Sequence, residues 1–266
     1  FLEIKNSLKT YLSTKPTYQD FDFEGSNVSI LLDHLSYNTH IMALNAYINF
    51  NETNLESSQL RGNVVTKGTS LGYKPRSRIA AKAVINIVVN SPIGSNNTLV
   101  LPKSTRFATN LNNTEYPFIV AETHSANKSI DGKFRFNNIT IVQGVLKNSY
   151  FIYDDRDQYP TFTIPDYNID TNTLTVSVKE HDSAVDSIVF SRYTTFSNIG
   201  IDSQIYYVDE NYDGLFYLSF GDNVIGKKLE NNNIIQAQYV STKGLECNGA
   251  KLFSISETIG GNNNIT

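Results

Sequence analysis

The spacing of apolar side chains divides the sequence into a helical and an extended part, with the change near residue 79. In residues 1–12, apolar positions recur every three to four residues, which predicts an amphipathic helix. A second helix is predicted over about 26–50, with Ser26 as its N-cap. A third, over about 55–71, is weakened by two internal glycines. The N-terminal part of the chain is therefore predicted to be helical.

From residue 79 onwards, apolar and polar residues alternate, which is typical of half-buried strands. Strands are predicted at 83–89, 99–101, 118–121, 134–136, 140–145, 150–153, 174–178, 187–190, 205–208, 215–220, 234–240 and 252–256. Asp213 and Gly214 separate two of these as a hairpin turn requires. Short strands with regular turns favour sandwiches or barrels over a parallel α/β sheet. The predicted fold class is α+β, with an N-terminal helical segment followed by mainly antiparallel β-domains.

The predicted domain organisation has three parts. Residues 1–72 form a helical bundle segment, residues 73–78 a hinge, and residues 79–266 a β-rich region. Gly72 and Pro75 are the candidate hinge residues, because glycine and proline interrupt regular structure. The sequence starts without Met and stops in a run rich in glycine and asparagine. We therefore expect a piece of a longer protein, with sequence missing at both ends.

The second predicted helix carries two apolar stripes on opposite sides. Projected at about 100° per residue, the first, here called the Leu31 stripe, contains Val28, Leu31, Leu35, Met42, Ala46 and Phe50. The second, the Ile41 stripe, contains Ile30, Tyr37, Ile41, Leu44 and Ile48. Between them lies a polar row, the Ser29 seam, made of Ser29, Asp33, Ser36 and His40, and the opposite seam holds Asn38 and Asn45.

An ordinary surface helix has a single apolar stripe, so a helix with two stripes has to bury both. Two interpretations follow. Either the first and third helices cover both stripes within the chain, or one stripe receives a helix from another chain.

Composition narrows the possible function classes. Hydrophobic residues make up 40% of the chain and charged residues 18%, with a net charge of −4 and a pI near 5.6. These values exclude a disordered acidic tail and argue against a nucleic-acid binder. The single cysteine excludes an internal disulfide framework. The longest apolar stretch, 79–89, is too short to span a bilayer, so neither nucleic acid nor membrane is an expected partner.

Motifs that carry chemistry are weak in this sequence. Residues 221–228 nearly match a phosphate-binding loop, but Lys228 stands where a hydroxyl is needed, and a strand follows instead of a helix. The four histidines lack paired ligand spacing. The acidic cluster of Asp154, Asp155 and Asp157 lacks the glycine and glutamate of a calcium-binding loop. We therefore expect no enzymatic activity, no cofactor and no metal.

Four groups of residues, in order along the chain, resemble a known family. They are Asp22–Ser26 with Leu31–Thr39; then Leu60, Arg61, Val64, Val65, Gly72, Tyr73, Pro75, Ser77, Ala80 and Ala81; then Leu101, Pro102, Thr105, Arg106 and Phe107; and finally Phe220, Gly221, Asp222, Gly226, Tyr239, Thr242, Gly244, Asn248 and Gly249. Together they are similar to the baseplate wedge family of T-even-type phages (gene product six), and the last group resembles the wider baseplate J-like pattern. Residues 110–200 carry no motif of this kind.

The resemblance implies a structural virion protein of a contractile phage tail, located in the baseplate after assembly in the host cytoplasm. Members of the family pair as homodimers and join into the inner baseplate ring around the hub, with their N-terminal helices in an interchain bundle. The implied partners are a second copy of the chain, other baseplate wedge proteins, the sheath-initiating protein and hub neighbours. By the same resemblance, one or both stripes of the second helix make partner contacts.

Two other function classes stay open from the residues alone. A β-rich tail protein that binds a receptor or glycan would use aromatic side chains, and 12% of the residues are aromatic, although none is Trp. A tail-associated hydrolase would need paired carboxylates, which the sequence does not show in a recognisable frame. Binding to a glycan panel and a cell-wall degradation assay distinguish these two classes.

Overall fold

The structure, a computed structural model, describes residues 1–17, 25–90, 97–157, 160–193, 199–255, 257–261 and 265. It divides into a helical unit, Phe1–Tyr73, and a β unit, Lys74–Thr266. The helices are α1 (Leu2–Ser13), α2 (Asn27–Thr53) and α3 (Arg61–Ser70), with a short 3₁₀ helix at Gly244–Cys247. The strands are β1 (Lys82–Asn90), β2 (Thr98–Leu101), β3 (Arg106–Leu111), β4 (Thr114–Val120), β5 (His124–Asn127), β6 (Lys133–Gln143), β7 (Val145–Ile152), β8 (Phe162–Thr163), β9 (Ile169–Lys179), β10 (Ile188–Arg192), β11 (Ile205–Glu210), β12 (Phe216–Phe220), β13 (Ile234–Ser241) and β14 (Ser254–Ile255). Helices followed by mainly antiparallel strands confirm the predicted α+β class.

Helix α2 begins where the sequence predicts. The Ser26 hydroxyl accepts a hydrogen bond from the Ser29 amide at 3.1 Å, which satisfies one of the free amides of the first turn. Helix α1 then packs against the Ser29 seam of α2. The buried residues of α2 are Ser29, Leu32 and Ser36, and Lys5 of α1 pairs with Asp33 at 2.5 Å. Ser29 and Ser36 are almost fully buried, so the covered side of α2 is this polar seam and not an apolar stripe.

Helix α3 is shorter than predicted, because the Glu52 carboxylate holds the residues before it in a loop. Glu52 accepts hydrogen bonds from the Ser58 hydroxyl at 2.6 Å and from the Asn63 side-chain amide at 2.7 Å. It also accepts from the backbone amides of Gln59 at 2.8 Å and Leu60 at 3.2 Å. These donors lower the pKa of Glu52 to about 2. One carboxylate therefore joins the end of α2 to the start of α3.

The β unit is built from two larger sheets and a two-stranded ribbon within the described residues. The five-stranded sheet has the order β1-β6-β4-β3-β14, the seven-stranded sheet the order β7-β13-β9-β10-β11-β12-β8, and β2 pairs with β5. Their pairs are antiparallel, except that β10 and β11 run parallel. The predicted Asp-Gly hairpin is the turn between β11 and β12. Each large sheet has its own hydrophobic cluster.

Strand prediction was wrong at four places. Segments 134–136 and 140–145 were expected as separate strands but form the single strand β6, in which Asn138 takes a positive φ of 57° and the register shifts against β1. The Asn138 amide donates to the side-chain oxygen of Asn86 at 2.9 Å. Asn137 and Asn138 therefore make a bulge and not a turn. Strands β3 and β5 were missed because they contain many polar residues, and β8 because it has two residues.

Along the chain, the strands of the seven-stranded sheet are inserted between β6 and β14 of the five-stranded sheet. The chain leaves β6 and enters β7 with only Gly144 between them, and it returns after β13 to place β14 beside β3. Phe151 of β7 and Phe162 of β8 lie at opposite ends of the strand order, yet their ring centroids are 5.6 Å apart. The sheet therefore curls around its own core.

The chain passes between the two large sheets twice, once after β6 and once after β13. These two crossings are hydrogen-bonded to each other. The Gln143 side-chain oxygen accepts hydrogen bonds from the Thr242 hydroxyl at 2.6 Å and from the Lys243 amide at 2.9 Å. Gly144 has a φ of 134°, and a Cβ added there would lie 2.4 Å from the Ser241 carbonyl oxygen. The backbone of Gly144 lies directly against the backbone of Ser241, so only glycine fits at position 144.

Replacing Gly144 by Ala is expected to destabilise the β unit strongly. Gly132 is the matched control, since its φ of 78° is also positive but nothing lies within 4 Å of an added Cβ. We expect Gly132→Ala to cost about 1–2 kcal/mol of unfolding free energy from backbone strain, and Gly144→Ala to cost a further ~1–3 kcal/mol from the clash. Denaturant unfolding measures both values. Equal losses of unfolding free energy in the two variants would contradict the close backbone packing at Gly144.

Protonation of Glu52 is expected to release the loop before α3. The pKa of about 2 in the folded chain lies below the ordinary 4.5, so this stabilisation is complete above pH 4.5 and is lost as the pH falls through about 2. We expect the NMR amide shifts of Gln59 and Leu60 to titrate with a pKa near 2 in the intact chain. The variant Glu52→Gln should show neither titration, and a midpoint near 4.5 in the parent chain would show that the hydrogen bonds do not form.

Candidate partner interface

Both apolar stripes of α2 are open to solvent in this chain. In the Leu31 stripe, Val28 is half-buried and the exposed members are Leu31, Leu35, Met42, Ala46 and Phe50. In the Ile41 stripe, Ile41 is half-buried and the exposed members are Ile30, Tyr37, Leu44 and Ile48. The interpretation in which α1 and α3 cover both stripes is therefore wrong. The reason is that α1 packs on the Ser29 seam, where Lys5 pairs with Asp33 and both serines are buried.

The C-terminal half of α2 extends well beyond α1. The 27 residues of α2 span about 40 Å, whereas the 12 residues of α1 span about 18 Å. Met42 is 71% exposed and Phe50 68%, and Tyr47 adds a third large exposed side chain. A helix that is apolar on more than one side is normally buried, and large exposed apolar patches mark interaction sites. This half of α2 is the candidate partner interface.

The same part of α2 carries almost no charge. From His34 to Asn51 there is no Asp, Glu, Lys or Arg. The polar residues between the stripes are uncharged, such as Asn38 and Asn45. Depletion of charge is typical of the buried centre of a protein interface, whereas a solvated helix face usually carries several ionised side chains. Composition and exposure therefore point to the same surface.

The predicted hinge residues lie at the boundary between the two units. Gly72 has a φ of 85° and its amide donates to the Thr69 carbonyl at 2.9 Å, so it terminates α3. Pro75 is half-buried and belongs to the β unit. The role of both residues in a hinge stays a prediction.

The first part of the predicted family motif forms a tight turn after β12. Phe220 is half-buried against the core, and Gly221 and Gly226 lie so close that a Cβ on Gly221 would be 2.2 Å from the Gly226 carbonyl carbon. The Asp222 carboxylate accepts hydrogen bonds from the Ile225 amide at 3.0 Å and the Val224 amide at 2.9 Å, which lower the pKa of Asp222. The amides that a phosphate would need thus donate within the loop.

The second part of the motif lies at the end of β13 and in the return to β14. Tyr239 is buried in the core of the seven-stranded sheet, and Thr242 bonds to Gln143. Gly244 and Gly249 have φ values of 66° and 96°, and Asn248 donates its amide to the Leu245 carbonyl at 3.1 Å. The structure places the motif residues in turns and packing positions, and their part in any partner contact stays untested.

The acidic cluster of Asp154, Asp155 and Asp157 lies in a turn after β7. Asp154 of the acidic cluster pairs with Arg156 at 2.6 Å, which lowers the pKa of Asp154 to about 2. Within the described ranges, no group of three or more His, Cys, Asp or Glu converges as metal ligands do. Among the helices that the structure describes, none is long and apolar enough to cross a membrane.

Sequence reasoning missed how several polar residues are placed in the helical unit. The pairing of Lys5 with Asp33 and the burial of Ser29 and Ser36 were not predicted. A signal was present, because the two serines are seven residues apart and flank Leu32 on one side of the helix. Glu52 gave no signal, since its partners follow at positions up to 11 residues later.

Comparison with known proteins agrees with the resemblance noted in the sequence. Residues 1–73 match the family model described as "Baseplate wedge protein gp6-like, helical domain". The chain is 30% identical, over 277 aligned positions that cover 97% of it, to the baseplate wedge protein gp6 of Enterobacteria phage T4. It spans 40% of the length of that relative. The resemblance to baseplate wedge proteins is thereby confirmed: the chain is similar to the baseplate wedge protein gp6, and its helical unit matches the gp6-like helical domain.

Proposed function

We propose that this chain is part of a structural wedge protein in the baseplate of a contractile phage tail. The observation that carries the proposal is the uncharged second half of α2, which exposes apolar side chains on two opposite sides. A structural subunit can leave such a surface open because another chain covers it on assembly. The similarity to gp6, a baseplate wedge protein of phage T4, suggests the assembly in which this occurs. The proposed role is mechanical and not enzymatic.

The two-sided exposure sets how many neighbours α2 needs. Packed helices lie about 8–10 Å apart and bury one face of each. One partner helix therefore cannot cover two stripes on opposite sides of α2. We infer that α2 lies inside an interchain bundle and receives at least two further helices. A second copy of the chain and another baseplate wedge protein are the proposed sources, and the pair so formed joins the inner ring around the hub.

The β unit is proposed to supply the rigid part of the ring. Its two sheets have separate cores and are joined by two crossings that are hydrogen-bonded to each other. Contacts with the sheath-initiating protein and with hub neighbours are assigned to this assembled ring. Assembly in the host cytoplasm, followed by residence in the virion baseplate, completes the proposal.

Charge placed in the Ile41 stripe is expected to block assembly. Ile41→Asp and Leu44→Asp each put a carboxylate into an interface that otherwise carries none. Loss of a central apolar contact typically costs about 2 kcal/mol or more, which corresponds to roughly a 30-fold weaker association. The measurement is the yield of wedge complex when the full-length protein is mixed with its neighbouring baseplate proteins, with circular dichroism to check the fold.

Asn27→Asp provides the control, because it adds the same charge to the exposed first turn of the same helix, outside the uncharged second half. It should retain most of the assembly. Leu35→Asp and Met42→Asp test the Leu31 stripe in the same way. If Ile41→Asp and Leu44→Asp combined assemble normally, the Ile41 stripe is not a contact. If charge in either stripe has no effect, the proposed bundle is excluded.

A further inference from the structure

The last residues of the helical unit are tied to α3. The Gly72 amide donates to the Thr69 carbonyl, and the Tyr73 amide donates to the Gly68 carbonyl, both at 2.9 Å. The Tyr73 ring lies over Gly68, where an added Cβ would be 3.5 Å from a ring carbon. This is the hydrogen-bond pattern of a glycine-terminated helix with its accompanying side-chain contact. Tyr73 therefore moves with α3.

The residues that follow are tied to the β unit. The Lys74 ammonium lies 5.7 Å from the centroid of the Tyr193 ring, within the range of a cation–π contact. The Ser77 hydroxyl is 2.9 Å from the Thr171 hydroxyl and accepts a hydrogen bond from the Thr171 amide, also at 2.9 Å. We call residues 74–80 the strap.

The far end of the strap is anchored on a buried carboxylate. The Ala80 amide donates to Asp170 at 2.9 Å, and Asp170 is fully buried. The other carboxylate oxygen of Asp170 accepts from the Asn172 amide at 2.9 Å. The strap is therefore attached at its start, middle and end to β9 and to a tyrosine that follows β10.

Proline removes much of the freedom that the strap would otherwise have at its start. Pro75 fixes its own φ, and its ring confines the preceding residue, Lys74, to an extended conformation. The φ of Lys74 still varies within the extended region, and no contact described above fixes the ψ of Tyr73, so these are the two soft dihedral angles between the tied segments. Every other backbone position from Gly68 to Ala80 lies within or between the contacts described above.

We infer that the helical unit and the β unit pivot about the single junction between Tyr73 and Lys74, and that residues 74–80 move as part of the β unit. This pivot is narrower than the hinge over residues 73–78 that the sequence predicts. A pivot at this one junction lets the orientation of the helices change while the attachment of the strap to β9 stays fixed. The inference does not depend on the proposed function.

Distances between paired spin labels in the full chain test this inference. Labels are placed on new cysteines at three exposed positions: Thr66 on α3, Arg76 in the strap and Thr175 on β9. Cys247, which is buried, is replaced by Ala in every variant. We expect a narrow distance distribution for the pair 76–175, and broad distributions for the pairs 66–76 and 66–175, because only the last two pairs span the pivot.

Two outcomes would overturn the inference. A distribution for 76–175 as broad as that for 66–76 would show a hinge spread along the strap, and narrow distributions for all three pairs would show that the junction is rigid. The strap contacts are tested by Lys74→Ala combined with Ser77→Ala, which should broaden the 76–175 distribution. Arg78→Ala is the control and should leave it narrow. No broadening in the double variant would show that these contacts do not hold the strap.

Discussion

The structure depends on one physical constraint, which is that α2 leaves both of its apolar sides exposed among the residues that the structure describes. Removal of apolar surface from water contributes about 25 cal/mol per Å². Side chains such as Met42 and Phe50 leave most of that stabilisation unused while they are exposed. Charges that would keep such a helix separate in water are absent from residue 35 to residue 51. Under the proposed function, other chains complete the helical unit by surrounding α2, which couples its stability to assembly.

The β unit differs from the helical unit, because it has hydrophobic cores of its own. Each large sheet encloses its own apolar cluster. Buried polar groups are paired as well: Asp166, which is almost fully buried, contacts Lys147 at 2.8 Å. Burial alone would raise the pKa of Asp166, but the Lys147 ammonium and the Asn168 amide outweigh it and lower the pKa below its ordinary value. Sheets with their own cores, joined to a helical unit that exposes two apolar stripes, suit the proposed structural subunit.

Much of this organisation follows from local sequence patterns. The α+β class, the Ser26 cap and the hairpin at Asp213 and Gly214 depend on residues close together in the chain, so periodicity and turn chemistry predict them. Strand β6 was divided wrongly because an asparagine pair has the same local signature in a bulge as in a turn. Polar sequence alone also cannot reveal β5, whose pairing with β2 is set by distant residues.

The candidate interface was predictable in its residues but not in its geometry. Helical periodicity identifies both stripes, yet it cannot tell which side of α2 the first helix covers. The answer depended on small polar residues, Ser29 and Ser36, which a hydrophobic pattern assigns to solvent. The Glu52 contacts escaped prediction for a related reason, since a carboxylate that collects four donors resembles any other surface glutamate in sequence. Sequence reasoning therefore failed most often for polar residues that are buried or hydrogen-bonded within the fold.

The central claim, that α2 is completed by other chains, is tested most directly by the mass of the full-length protein in solution. Light scattering would be measured first for the protein alone, and then for the protein mixed with the products of the adjacent virion genes. The account predicts a stable dimer that joins a larger complex with at least one of these neighbours. A monomer that ignores every neighbour would contradict it, because the two stripes of α2 would then remain in water in the assembled state as they do in the single chain.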